Sequence, residues 1–143
     1  VRFERWQPGP VEKGTSDGEL IAACQAQIDQ LGYRAAEVMR DAGDPAQNAE
    51  LRGQFLDERR YSEDDARFFL AGQGLFALHI GDYVYAIRCE KNDLLVIPAG
   101  VMHWFDMGEN PHFVALRLYN TEKGWVPEFT GDDIARRFPG LDD

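Results

Sequence analysis

Apolar residues along this chain recur with two different periods, and the change falls near residue 54. Val1-Arg2-Phe3-Glu4-Arg5-Trp6 alternates apolar and charged side chains, the spacing of a half-buried strand, and Pro8 and Pro10 end it. Leu20, Ile21, Cys24, Ile28 and Leu31 then share one face of a helix that Ser16 or Asp17 caps and Gly32 stops. Residues 33–42 suit a short second helix, and Pro45 stands near the start of a third that runs to about Arg52. From Gln54 onward strand-like runs follow at about 54–61, 66–70, 74–80, 83–89, 94–97, 103–107 and 112–119. Gly72-Gln73-Gly74, Gly81-Asp82, Lys91-Asn92-Asp93, Pro98-Ala99-Gly100 and Gly108-Glu109-Asn110-Pro111 read as the turns between them. Many short strands with Gly and Pro turns predict an antiparallel sandwich or barrel. The expected class is α+β, mainly β, in one domain over 1–143. Its parts are an N-terminal strand and helices to about 53, a β-barrel over about 54–120, and a tail over about 121–143. The tail carries Trp125, Phe129 and a helical turn near 131–137, placed outside the barrel or across one mouth.

Composition narrows the function. The 143 residues are 44% hydrophobic and 12% aromatic, enough for a core, and no run approaches the roughly 20 apolar residues of a membrane span. A formal charge of −10, from 15 basic and 25 acidic residues, argues against nucleic acid, which asks for a basic face. Cys24 and Cys89 stand far apart with no CxxC, so two buried reduced thiols and a cytoplasmic location are expected. No signal peptide is read. The chain lacks an initiator Met and opens inside a strand-like run, which suggests an upstream segment.

The candidate chemistry lies in Leu56-Asp57-Glu58-Arg59-Arg60-Tyr61-Ser62-Glu63-Asp64-Asp65-Ala66-Arg67-Phe68-Phe69 and in Pro98-Ala99-Gly100-Val101-Met102-His103-Trp104-Phe105. The first stretch resembles the first cupin motif of the acireductone dioxygenases, which reads His-x-His-x-x-x-Glu-x-Arg; a later strand of that family adds a third His. Here Arg59 and Tyr61 stand at the two motif histidines and Asp65 at the glutamate, while His103 keeps the distal histidine. The resemblance extends from Val1-Arg2-Phe3-Glu4-Arg5-Trp6 to Phe129-Thr130-Gly131-Asp132-Asp133-Ile134-Ala135, through Gly72-Gln73-Gly74-Leu75-Phe76, Cys89-Glu90-Lys91-Asn92-Asp93-Leu94 and Gly124-Trp125-Val126. It implies a double-stranded β-helix, or jelly-roll cupin, and a family that oxidises an enediol of methionine salvage with dioxygen at iron or nickel. It also implies a substrate pocket lined by Phe55, Arg67, Phe105 and Trp125, with the arginine anchoring substrate oxygens. A homodimer through strand edges is a common cupin assembly.

The replaced ligands set the functional expectation. A guanidinium has no lone pair to give a metal, and a tyrosine keeps its proton to near pH 10. Ordinary metal binding is therefore not expected, and His79 and His112 lie on other segments and do not repair the site. Residues 59 and 61 point the same way along a strand, into the barrel if the family register holds. A buried arginine needs a partner, and Asp65 is the expected one for Arg59, with Glu58 and Glu63 as alternatives. His103 is the expected general acid or base, with Tyr61 as hydrogen-bond donor and Arg59 and Asp65 completing the catalytic set. Arg67, Phe55, Phe68, Phe105 and Trp125 are the expected substrate contacts.

The first reading is an enzyme with no metal that isomerises, eliminates or cyclises an enolate-type small molecule, a pericyclic closure included, in specialised metabolism. The second is an acireductone dioxygenase-type oxygenase with iron or nickel at an atypical site of His103, Asp65 and Tyr61. The third is a non-catalytic ligand-binding descendant.

Overall fold

The computed structural model describes residues 2–5, 17–120 and 127–142. Within them, nine strands pair antiparallel throughout, and one long strand divides them between two layers. That strand is β4, Asp65–Ile80. Its first part lies between β6 (Asp93–Ile97) and β8 (Phe113–Tyr119); β1 (Arg2–Arg5) extends this layer beyond β6 and β2 (Ala35–Arg40) beyond β8. Its second part lies between β5 (Tyr83–Glu90) and β7 (Met102–Asp106), followed by β3 (Arg59–Arg60) and β9 (Glu128–Phe129).

Gly72-Gln73-Gly74 is therefore not the turn its composition suggests; the strand runs through it and changes layers there. The register slips between Phe69 and Ala71, and Gly72 takes a φ of 70°. A β-carbon on Gly72 would run into the backbone of His112, and one on Gly74 into the Phe105 ring. Both glycines serve close approach inside a bent strand.

Residues 33–42 correct the helix expectation as well. Ala35–Arg40 within them form β2, paired with β8 from Ala35–Tyr119 to Arg40–Val114. Helix propensity in Ala35-Ala36-Glu37 yields to a complete cross-strand ladder. The first predicted helix is broken at Cys24 into α1 (Asp17–Ala23) and α2 (Gln25–Leu31), with Gly32 left-handed at its end. The third, α3, runs Pro45–Leu56 and so takes over the start of the strand expected at 54–61. Asp44 caps it, its carboxylate accepting from the amides of Ala46 and Gln47 at 2.8 and 3.4 Å. The tail contributes a 3-10 turn, Ile134–Arg137, near the turn read at 131–137.

Alternation along β4 sorts the cores. Phe69, with Phe76, Leu78, Leu95, Ile97, Phe105, Met107 and Phe113, fills the space between the layers. Ala66 and Phe68 point the other way, onto Cys24 and Ile28 under the helices. Ala77 and Trp104 lie beneath Ile134 and Ala135 of the tail. Both cysteines are buried and free, their thiols pushed up by burial to about 11 at Cys24 and about 12 at Cys89. No helix among the described residues is long and apolar enough to cross a membrane.

Candidate active site

Four strands deliver polar side chains to one end of the interior. Period two on β4 sends Asp65 and Arg67 inward on the row that continues to Phe69. The neighbouring strands set His103 of β7 opposite Arg59 of β3, and Arg117 of β8 opposite Arg67. Tyr61 follows β3 and lies 5.6 Å from the His103 ring, its carbonyl accepting from the Gly100 amide at 2.9 Å.

Asp65 is the hub. Arg67 grips it with a fork, Nε to Oδ1 at 2.7 Å and Nη2 to Oδ2 at 3.2 Å. His103 Nε2 lies 3.1 Å from Oδ2, and Arg117 Nε stands 3.9 Å from Oδ1. Burial by itself would raise the Asp65 carboxyl; Arg67, His103 and Arg117 hold it well below the usual carboxylate range. The Arg67 side chain is 5% exposed and that of Asp65 1%, so this pair is desolvated and neither member can be removed alone without stranding the other. Arg67 also rests Nη1 on Met39 Sδ at 2.8 Å. Arg117 lies over the Tyr61 ring at 4.8 Å, and its own pKa is lowered, first by burial and then by Arg67. His103 Nδ1 donates to the Val101 carbonyl at 2.8 Å.

The expected Arg59–Asp65 pair is not formed, because Arg67, two residues along the same strand row, reaches Asp65 first with ideal fork geometry. Arg59 is nonetheless buried, and it lines the same cavity as Arg67. Its Nε donates to the Asp57 carbonyl at 3.0 Å and its Nη2 to the Gln54 carbonyl, both near the C-terminal end of α3. Its guanidinium lies between the rings of Phe129, 4.9 Å away, and Phe55, 5.6 Å away. Glu58, one of the two alternative partners for Arg59, is buried on the outer face and takes His79 Nδ1 at 2.7 Å and Thr130 Oγ1 at 2.7 Å.

Phe55, Arg59, Tyr61, Arg67, Phe76, His103, Trp104 and Phe105 enclose a cavity of about 10 Å³, room for about one water. Phe68 is not among them, since it lies one residue out of phase with Arg67. Trp125 falls outside the described residues. Phe76, Trp104 and above all Arg117 were not read from the sequence; a single arginine in the otherwise apolar run Phe113-Val114-Ala115-Leu116-Arg117-Leu118 was the available signal. Larger clefts, about 400 Å³ by Gly72 and His112 and about 410 Å³ by Tyr33 and Asp64, lie away from this chemistry.

The donors present do not fit a resident metal in this arrangement. Among the described residues, no three of His, Cys, Asp or Glu converge on one point. His103 and Asp65 are bonded to each other, Asp65 is held by Arg67, and a cation between them would face guanidinium groups.

Two antiparallel layers closing on a buried histidine–carboxylate–guanidinium centre define the class: a cupin with its polar site inside the barrel. Its comparison with known proteins is specific. The model of the ARD/ARD' family matches residues 13–127. Acireductone dioxygenase of Pseudomonas fluorescens (strain Pf0-1) is 57% identical over all of this chain and 82% of its own length, and that of Pseudomonas aeruginosa (strain UCBPP-PA14) 56% over the same shares. Among solved structures, the acireductone dioxygenase of Bacillus anthracis with a cadmium ion in its active centre superposes with a TM-score of 0.76. It is 27% identical, covering 89% of this chain and 82% of that one. The chain belongs to the acireductone dioxygenase family.

Two expectations fall with this result. Relatives 56–57% identical over the whole chain are named dioxygenases, which overturns the leading reading of a metal-independent isomerase, lyase or cyclase of specialised metabolism. The expectation of no cofactor is overturned by the same relatives and by the metal in the active centre of the solved one.

Proposed function

We propose that this chain is a dioxygenase of the acireductone type, taking an enediol in its anionic form into the barrel interior and combining it with dioxygen. The observation that supports this most is the 57% identity across its full length to an acireductone dioxygenase. The interior is chemically suited to such a substrate. Arg67, held in orientation by Asp65, offers its remaining donor edge to an enolate oxygen, and a fixed guanidinium stabilises developing oxyanion charge without reorganising. His103 donates from Nδ1 to the Val101 carbonyl and turns its Nε2–H to Asp65, 3.1 Å away, which places it as a proton donor to an enediol oxygen beside that carboxylate. Tyr61, whose ring meets the His103 ring and the Arg117 guanidinium, lines the same cavity. Phe55, Phe76 and Phe105 exclude water from the reacting oxygens. A small molecule is the proposed partner.

Stopped-flow oxygen uptake with acireductone, on protein as purified and after loading with iron(II) or nickel(II), tests the proposal, with metal content measured on each sample. Oxygen consumption and loss of enediol absorbance well above the buffer rate are expected in at least one sample. A rate equal to buffer in all of them overturns the reading.

A further inference from the structure

The fixed charges of the interior do not balance. Arg59, Arg67 and Arg117 bring three guanidiniums, and among the described residues the buried carboxylate seen bonded or ion-paired to them is Asp65. Glu58, another buried acid, belongs to the outer face with His79. Glu37 pairs across from Arg117 on β2 and acts on Arg67 through space, but it is exposed at the rim. The surplus sits inside a chain whose overall charge is −10, so it is not a consequence of composition.

Arg59 is where the surplus is least compensated. Among the described residues it meets two carbonyl oxygens and two aromatic faces, all without net charge, and no carboxylate. Carbonyls at a helix C-terminus and π faces each offset only part of a buried cation. Nε and Nη2 are engaged, Nη1 has no acceptor among the described residues, and the side chain forms part of the cavity wall beside Arg67. A guanidinium with donors left over, in a water-poor cavity next to a second guanidinium, is a receptor for a planar oxyanion.

We propose that Arg59 is an anion-binding residue of this interior, and that the ligand it selects is a small organic dianion, one oxyanion group meeting Arg59 and the other the Arg67 side of the cavity. The cavity as it stands holds about one water, so binding turns the Arg59 side chain from the Gln54 and Asp57 carbonyls toward the ligand. The inference names a ligand class for the same site as the dioxygenase reading, and its test needs no turnover.

The probe is malonate, with acetate as the single-charge comparison, titrated at constant ionic strength into 15N-labelled protein while the arginine Nε–H signals are followed. A saturable shift of the Arg59 signal is expected, with malonate bound at least about tenfold tighter than acetate. Arg59→Gln weakens malonate by at least about tenfold, whereas Arg60→Gln, on the exposed neighbour paired to Glu128, stays within about twofold. Arg59→Lys keeps the charge without the fork and falls between; it and the wild-type signals carry the test if the glutamine variant does not fold. The proposal is overturned by the absence of a saturable Arg59 shift, by equal affinity for the two anions, or by unchanged malonate affinity in the folded Arg59 variants. Loss of turnover with malonate binding intact would count against the dioxygenase reading alone.

Discussion

Two buried aspartates hold an arginine fork in this molecule, with the same pair of distances. Asp65 takes Arg67 at 2.7 and 3.2 Å, and Asp106 takes Arg52 at 2.7 and 3.2 Å. Their other partners differ. Asp106 accepts the backbone amides of Gly108 and Leu141 at 3.0 and 2.9 Å, tying α3, the end of β7 and the tail together. Asp65 is shared by His103 and a second guanidinium, Arg117, beside a cavity. Matching geometry therefore does not mark function. What separates a site from a staple is surplus charge, a titratable partner and space, against backbone partners that lock a fold.

Asp65→Asn gives the largest effect. It leaves Arg67 and Arg117 buried with no carboxylate between them, and urea unfolding is expected to show a loss of about 3–5 kcal/mol. Asp106→Asn costs less, about 1–3 kcal/mol, because Arg52 is 29% exposed and water replaces part of the lost pairing. If Asp106→Asn proves the costlier, the contrast fails.

The pH dependence sharpens the staple half. Burial raises the Asp106 carboxyl, but Arg52 and the Leu141 and Gly108 amides outweigh it and leave the carboxyl below its ordinary value. Its contribution is complete above the unfolded value of about 4 and drains away as pH falls through the lower folded value. The stability gap between wild type and Asp106→Asn, followed by urea midpoints, is expected to narrow below about pH 4; a constant gap would sink the assignment. Smallest of all, Arg60→Gln removes an exposed pair with Glu128, and its melting temperature is expected to match wild type within error.

The sequence shows more of the fold than of the site. Strands β5 to β8 were legible because alternation and tight turns bound each one, as at Gly81-Asp82 and Pro98-Ala99-Gly100. Residues 33–42 were not, since their strand character comes from pairing with β8, about 80 residues further along the chain and invisible to local propensity. Gly72 and Gly74 carry a turn composition, yet serve close approach to His112 and Phe105, a tertiary fact. In the site, the inward row of Asp65, Arg67 and His103 followed from period two and the resemblance. The partner of Asp65 did not, because choosing between Arg59 and Arg67 depends on where α3 ends and offers its carbonyls. Phe68 was misplaced by one step of the same alternation.

The central claim is that the Asp65 centre, and not its Asp106 counterpart, acts on substrate. Oxygen uptake with acireductone, compared between Arg67→Lys and Arg52→Lys with folding checked by circular dichroism, tests it most directly. The account predicts a fall in kcat/KM of about a hundredfold or more for Arg67→Lys, and a change within about threefold for Arg52→Lys. Equal losses in the two variants, or full activity in folded Arg67→Lys, would contradict it.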